Sequence, residues 1–198
     1  MRRELPVAEV EPGEVYRLLT ASILPRPIAW VSSRDADGVD NLAPHSFFTV
    51  ASSAPPVLQF TSIGEKDTVR NIQATGEFVV CITPLALIEQ VNDTGTNYPP
   101  GIDEFDAAGI AREPSEAVGP MRVAGSPVVF ECRLRSTIEI GNGIVVLGDV
   151  VHIAVDRAVL AADGLPDVEL LDPVARLGRN EWAGLGELVR VDRKRYDG

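Results

Sequence analysis

The sequence predicts a mainly β fold, an antiparallel barrel closed on itself and covered by short capping helices. Three observations carry that expectation. Val128–Ile140 and Ile144–Val155 are long β-prone runs joined by the turn Gly141-Asn142-Gly143, the clearest hairpin in the chain. Four shorter β-runs precede it, at Ile28–Ser33, Leu42–Val50, Val57–Ser62 and Glu77–Ile82. Helix-like stretches are few, and glycine-rich turns separate the runs. Periodicity by itself does not choose a barrel over a sandwich.

Each element has a local reason. Glu14–Ser22 places Val15, Leu18 and Leu19 on one helical face. Pro27 fixes its own φ and pushes Arg26 toward extended geometry, so Pro25-Arg26-Pro27 leads rigidly into Ile28–Ser33. Asp37-Gly38 marks the turn back. The returning run, Leu42–Val50, contains Pro44, which has no N–H for a ladder and argues against an ordinary central strand. Alternation is imperfect throughout, as expected where both faces of a strand touch protein. Asp67–Thr75 reads as a helix closed by Gly76 at its C′ position. Glu77–Ile82 follows as a strand, and Leu85–Val91 as a short helix carrying Leu85, Leu87, Ile88 and Val91. From Asn92 to Gly125, four prolines and five glycines break every pattern; so long a loop is either functional or poorly ordered. An irregular arm follows the hairpin.

With 198 residues, no internal repeat and no low-complexity linker, the chain is expected to be one domain spanning 1–198. A hydrophobic content of 45% beside 24% charged residues is ordinary for a soluble globular protein. The net charge of −11 argues against a nucleic-acid partner, which needs a basic footprint, and against anionic membranes. No run approaches ~18 apolar residues and the first residues hold no apolar signal core, so a cytoplasmic location is expected. Cys81 and Cys132 are far apart and without CxxC spacing, which suits buried small hydrophobes better than a disulfide or zinc site. An anionic ligand would still need local positive charge, which puts weight on Arg26, Lys66 and Arg70.

Two stretches carry chemistry. Leu24–Phe48 holds irregular backbone beside a hydrophobic wall, an arrangement that suits a flat, polar-edged ligand. Within it, His45 has an unperturbed pKa near 6.5 that suits proton handling, though a lone histidine also reads as an ordinary core or surface residue. Ser46 is a donor-acceptor or simply a strand hydroxyl. In Gly64-Glu65-Lys66-Asp67-Thr68, Lys66 precedes a helix whose first-turn N–H groups attract anions; the alternative is a capped surface helix. Trp30 and Trp182 are candidates for stacking or for core, and Tyr98 is the loop aromatic best placed to cover a site.

Further segments recur in a recognisable order: Lys66-Asp67-Thr68 with Asn71-Ile72, Thr75-Gly76-Glu77-Phe78, Asn97-Tyr98-Pro99, Asp103-Glu104-Phe105, Ser126-Pro127 with Glu131-Cys132, and Arg176-Leu177-Gly178. With Leu24–Phe48 they resemble the flavin reductase-like family over about residues 14–180. The resemblance implies an FMN-binding split β-barrel, antiparallel and Greek-key-like, and an NAD(P)H-dependent oxidoreductase of the flavoredoxin or two-component monooxygenase reductase type. It implies that Arg26, Pro27, Ile28 and Ala29 wall the flavin ring while Ala43, Pro44, His45 and Ser46 line its edge. His45 and Ser46 are the candidate catalytic residues. Lys66 and Thr68, helped by Ser62 or Ser32, are the expected phosphate contacts, with Tyr98 over the site and Arg176 near it. A homodimer with the flavin near the subunit interface is implied, as is a monooxygenase or electron-transfer protein partner.

The chain departs from the family at two places. After Arg176-Leu177-Gly178 it has Arg179 and Trp182 where a further glycine and a tyrosine are common, so the outer wall of the pocket is left open. Where short reductases carry a Gly-Asp-His motif for the nicotinamide, it has Gly148-Asp149-Val150, with His152 expected on the same strand face as Val150. There is no G-x-G-x-x-G fingerprint. The alternatives are an FMN electron carrier without nicotinamide turnover, and a barrel that takes deazaflavin or, through His45 or His152, heme.

Overall fold

The computed structural model describes residues 1–99 and 101–196. Helix α1 (Pro12–Ser22) leads into β1 (Arg26–Pro27), β2 (Ala29–Arg34), β3 (Asp40–His45), β4 (Phe48–Ser53) and β5 (Pro56–Ile63). Helix α2 (Asp67–Thr75), strand β6 (Glu77–Ile82) and helix α3 (Ile88–Asp93) follow, the last entered through a 3-10 turn at Leu85–Leu87. The irregular stretch contains α4 (Glu104–Ala107), β7 (Arg112–Glu113) and β8 (Arg122–Val123). Strands β9 (Val128–Ile140) and β10 (Gly143–Val155) form the expected hairpin, turning through Gly141 at φ 58°, a conformation that glycine takes freely. The arm holds α5 (Val168–Leu171), β11 (Ala175–Arg176), which pairs with β1, and β12 (Trp182–Ala183).

Seven strands make one antiparallel sheet in the order β3-β2-β6-β9-β10-β5-β4. Its two edge strands, β3 and β4, are joined by Ser46 and Phe47 alone, a reach of about 11 Å when fully extended. The sheet must therefore curl until its edges meet. No ladder joins β3 to β4, so the barrel stays split at that seam. The expected single strand Leu42–Val50 is thus two strands. Pro44 lies in edge strand β3, where its missing N–H need not cost a ladder bond.

Both faces of the central strands are buried, which explains their continuous apolar runs. Ala29, Val31, Phe60, Phe78, Val80, Cys132 and Val146 fill the barrel, closed by Val69 and Ile72 of α2. Ile28, Trp30, Leu42, Val79 and Cys81 form an outer core beneath Val91 of α3 and Phe105 of α4. Cys81 and Cys132 are free and buried, and burial pushes both thiols up to about 12. Helix α1 departs from expectation: Leu18 and Leu19, assigned to its apolar face, are exposed.

Strand β10 corrects a second expectation. A Cβ at Gly148 would lie 2.2 Å from Cζ of Phe78, so the glycine is where an aromatic ring crosses backbone inside the barrel. A register shift between Val150 and His152 then breaks the alternation. Val150 pairs with Cys132 but His152 pairs with Glu131, which turns His152 to the face opposite Val150. Glu131 itself is fully buried. Desolvation would raise its pKa, but bonds from the N–H groups of Glu116 (2.9 Å) and Ala117 (2.6 Å) and from Arg122 hold it below the usual carboxylate range. That anchor pins the irregular stretch to β9. No helix among the described residues is long and apolar enough to cross a membrane.

Candidate functional site

A cavity of about 440 Å³ opens beside the split. Its walls come from the β3–β4 junction (Ala43 to Phe47), the end of β5 (Thr61 to Ile63), the start of α2 (Lys66 to Thr68, and Arg70) and the loop Thr94 to Tyr98. The loop is held in place from the core: Trp30 Nε1 donates to Thr94 Oγ1 at 2.8 Å, and that hydroxyl donates to the Val91 carbonyl at 3.1 Å. Trp30 is therefore a core residue that positions the cavity wall and does not stack in the cavity.

Around the start of α2 the cavity is lined by charged groups, Lys66 and Arg70 beside Glu65, Asp67 and Glu104. Lys66 occupies the N-cap position of α2, and no side chain caps that helix. Among the described residues the N–H groups of Asp67 and Thr68 thus have no side-chain cap, while that of Val69 donates to the Lys66 carbonyl at 3.0 Å. Asp67, at the first helical position, pairs with Arg70. Thr68 is buried with its Oγ1 at 3.4 Å from Asn41 Oδ1, and Ser62 Oγ donates to the Gly64 carbonyl at 2.8 Å. Asn41 Nδ2 and the Leu42 N–H both donate to Glu104 Oε2, at 3.2 and 2.9 Å. Burial raises the Glu104 pKa above its ordinary value. Asn41 and Glu104 were not singled out in the sequence; the only trace of them was the Asp103-Glu104-Phe105 segment.

Another part of the wall is formed by His45 and Ser46. His45 is buried, its ring 4.6 Å from that of Phe60, and its Nε2 is buried without a hydrogen-bond partner among the described residues. Burial, reinforced by the charge of Lys66, pushes its pKa down to about 4. The imidazole is therefore neutral at pH 7, which corrects the expectation of a group titrating near neutrality. Ser46 Oγ accepts from Arg26 Nε at 3.4 Å. Arg26 also donates to the carbonyls of Thr20, Ile23 (3.2 Å) and Leu177 (2.8 Å). It clasps the end of α1 to the C-terminal arm, and that clasp sets Ser46.

Among the expected site residues, the cavity brings together Ala43, Pro44, His45, Ser46, Ser62, Lys66, Thr68 and Tyr98. The expected wall Arg26 to Ala29 is dispersed. Ala29 points into the barrel, Pro27 is exposed, Arg26 is the clasp, and Ile28 reaches a second cavity of about 230 Å³. There Ile28 meets Arg176 and Trp182, and the two cavities share Pro44, Ser46 and Gly95. The Arg176 guanidinium lies 4.8 Å above the Trp182 ring. Ser32 lines neither cavity; its buried Oγ has no partner within the chain. Gly148, Asp149 and His152 also line neither. Tyr16 of α1, unforeseen from the sequence, lies on the rim of the larger cavity.

An uncapped helix start beside a lysine, on a cavity of this size, fits a ligand that carries an anionic group there. The model of flavin reductase-like domains matches residues 21–169. The chain belongs to the flavin reductase-like family. A protein of Halalkalibacterium halodurans is 39% identical over 192 residues, covering 91% of each chain. Nitrilotriacetate monooxygenase component B from Bacillus cereus is 31% identical with a TM-score of 0.93, covering 96% of this chain and 99% of that one. The 2-nitrobenzoate 2-nitroreductase of Pseudomonas fluorescens is 27% identical with a TM-score of 0.90, covering 97% of this chain and 96% of that one. The fold is accordingly the split barrel of the flavin reductases. Arg176 and Trp182 lie beyond the segment that the family model matches.

Proposed function

We propose that the chain is a cytoplasmic, single-domain, NAD(P)H-dependent flavin reductase-like oxidoreductase that holds FMN in the larger cavity. The observation that carries this reading is the uncapped start of α2, with Lys66 and Thr68, on the same cavity that the β3–β4 junction from Ala43 to Ser46 lines. Lys66, Thr68 and the first-turn N–H groups of α2 would hold the phosphate, with Ser62 beside them. Backbone and side-chain groups from Ala43 to Ser46 would meet the polar edge of the ring, and Tyr98 would cover it. FMN, when bound, supplies the hydride and electron chemistry that links reduced nicotinamide to free flavin, a monooxygenase partner or another small acceptor. The protein orients the ring and excludes water. His45 stays neutral inside the barrel and backs this edge, and Ser46 is oriented by Arg26. The names of the monooxygenase component and the nitroreductase among its relatives support an oxidoreductase.

A second reading is an FMN electron carrier that does not turn over nicotinamide. It is favoured by β10, where Gly148 serves packing against Phe78 and His152 faces away from Val150. The phosphate cradle would serve a deazaflavin cofactor equally.

The test is the visible spectrum of the purified protein with FMN, before and after anaerobic NADH or NADPH, with Lys66→Ala in parallel. Prompt bleaching establishes the reductase, and persistent bands establish the carrier. Lys66→Ala should weaken FMN binding by about 1.5–3 kcal/mol while leaving riboflavin, which lacks the phosphate, unchanged. If neither ligand binds, the cofactor assignment fails and a deazaflavin titration comes next.

A further inference from the structure

The smaller cavity has a charge problem that the larger one does not explain. In a chain of net charge −11, arginines find carboxylates readily: Arg34, Arg70, Arg112, Arg122 and Arg135 each pair with one. Arg26 and Arg176 do not. They are held by the Ser46 hydroxyl and by backbone carbonyls, and among the described residues neither has a carboxylate within ion-pair distance. They are also close enough for the charge of Arg176 to oppose that of Arg26. Arg176 donates to the carbonyls of Glu181 (2.9 Å) and Arg179 (2.6 Å), which leaves most of a guanidinium's five donors unspent. Arg176 lines the cavity and the uncompensated Arg26 stands directly behind its Ser46 wall, a charge distribution that favours an anion there.

The remaining walls are mixed: Ser46 and Asn92 line the cavity together with Pro44 and the Trp182 indole, and the buried core residues Ile28 and Val91 back it. At about 230 Å³ the space is smaller than the ~300–1,000 Å³ of pockets for drug-sized ligands, so it suits a single ring. We propose that this cavity is a subsite for a small aromatic carboxylate, its carboxylate on Arg176 and its ring between Pro44 and Trp182. A planar guanidinium matches a carboxylate through two parallel bonds, which an uncharged carboxamide does not reproduce. The shared residues Pro44 and Ser46 put the occupant beside the FMN cavity; only that adjacency rests on the flavin reading. Because Arg176 and Trp182 lie outside the segment matched by the family model, this wall belongs to the chain's own C-terminal arm.

The test is isothermal titration of the full chain with benzoate and with benzamide at constant ionic strength, with and without saturating FMN. Benzoate should bind at least tenfold more tightly than benzamide, and FMN should not displace it. Arg176→Gln should abolish the preference for benzoate, and Arg176→Lys, which keeps the charge, should retain part of it with an unchanged melting temperature. Equal binding of the two ligands would assign the subsite to a nicotinamide-like carboxamide and overturn the proposal. So would unchanged benzoate binding by Arg176→Gln, or competition between benzoate and FMN. Arg176-dependent benzoate binding in a chain that fails to bind FMN would uphold the subsite and remove the flavin reading instead.

Discussion

Protonating His45 would bring a charge into the end of the barrel, against Phe60 and within reach of Lys66. The folded chain resists this down to about pH 4, whereas the unfolded chain takes up the proton near 6.5. Above 6.5 both states are neutral at this site and its contribution is complete. Between 6.5 and 4 only the unfolded state binds the proton, so stability falls as pH falls; below 4 the loss is complete. The full effect is about 3 kcal/mol. Urea unfolding of the ligand-free protein and of His45→Asn across this range should give stabilities whose difference changes by about that amount. A difference independent of pH would mean that the imidazole is hydrated in the folded state. The residue types at this site were legible in the sequence, because proline, glycine and lysine at those spacings have few uses. Their surroundings were not. Whether His45 titrates depends on Phe60 and Lys66, which fifteen or more residues of chain separate from it, and the dispersal of Arg26 to Ala29 depends on which face of β2 looks inward.

At the scale of elements, local rules worked where an element is decided locally. Helix α2 ends at Gly76 with φ 75°, and the long hairpin turns at Gly141. They failed at β10, where a bulge reversed the alternation after Val150, and at Leu42–Val50, where the seam divides one apolar run into two strands. Both failures come from barrel closure, a long-range event without a local signature. Gly148 gives a direct measure of how tightly the barrel interior is packed. In Gly148→Ala the new methyl group would meet Cζ and Cε1 of Phe78 at 2.2 and 2.7 Å and Cβ of Cys132 at 3.1 Å. Overpacking of this kind should destabilise the protein by about 1–3 kcal/mol in urea unfolding. Adding Phe78→Leu should recover part of the loss, making the pair less destabilising than the sum of its members. Strict additivity would show that the ring moves aside freely, and β10 would then tolerate a side chain at this position.

At the scale of the molecule, the two apolar cores account for the strands but contain no residue of α1, which Arg26 holds at its end. Tyr16, Leu19, Ile23 and Leu24 stand exposed around that helix and its exit, and Tyr16 also borders the larger cavity. An acidic protein that keeps such a patch beside its candidate cofactor site has a reason to cover it. The homodimer implied by the family resemblance would do so, with the second copy closing the cavity over Tyr16. Sedimentation at tens of micromolar should then report a dimer. Leu19→Glu should weaken it on the order of tenfold or more, since a carboxylate would be buried without a partner. FMN affinity should fall with the dimer in that variant and recover as protein concentration rises, because the substituted side chain lies outside the phosphate cradle. A wild-type monomer would leave α1 exposed in solution. A dimer indifferent to Leu19→Glu would place the interface on another face, such as the one where Ile138, Ile140 and Ile153 of the long hairpin are exposed.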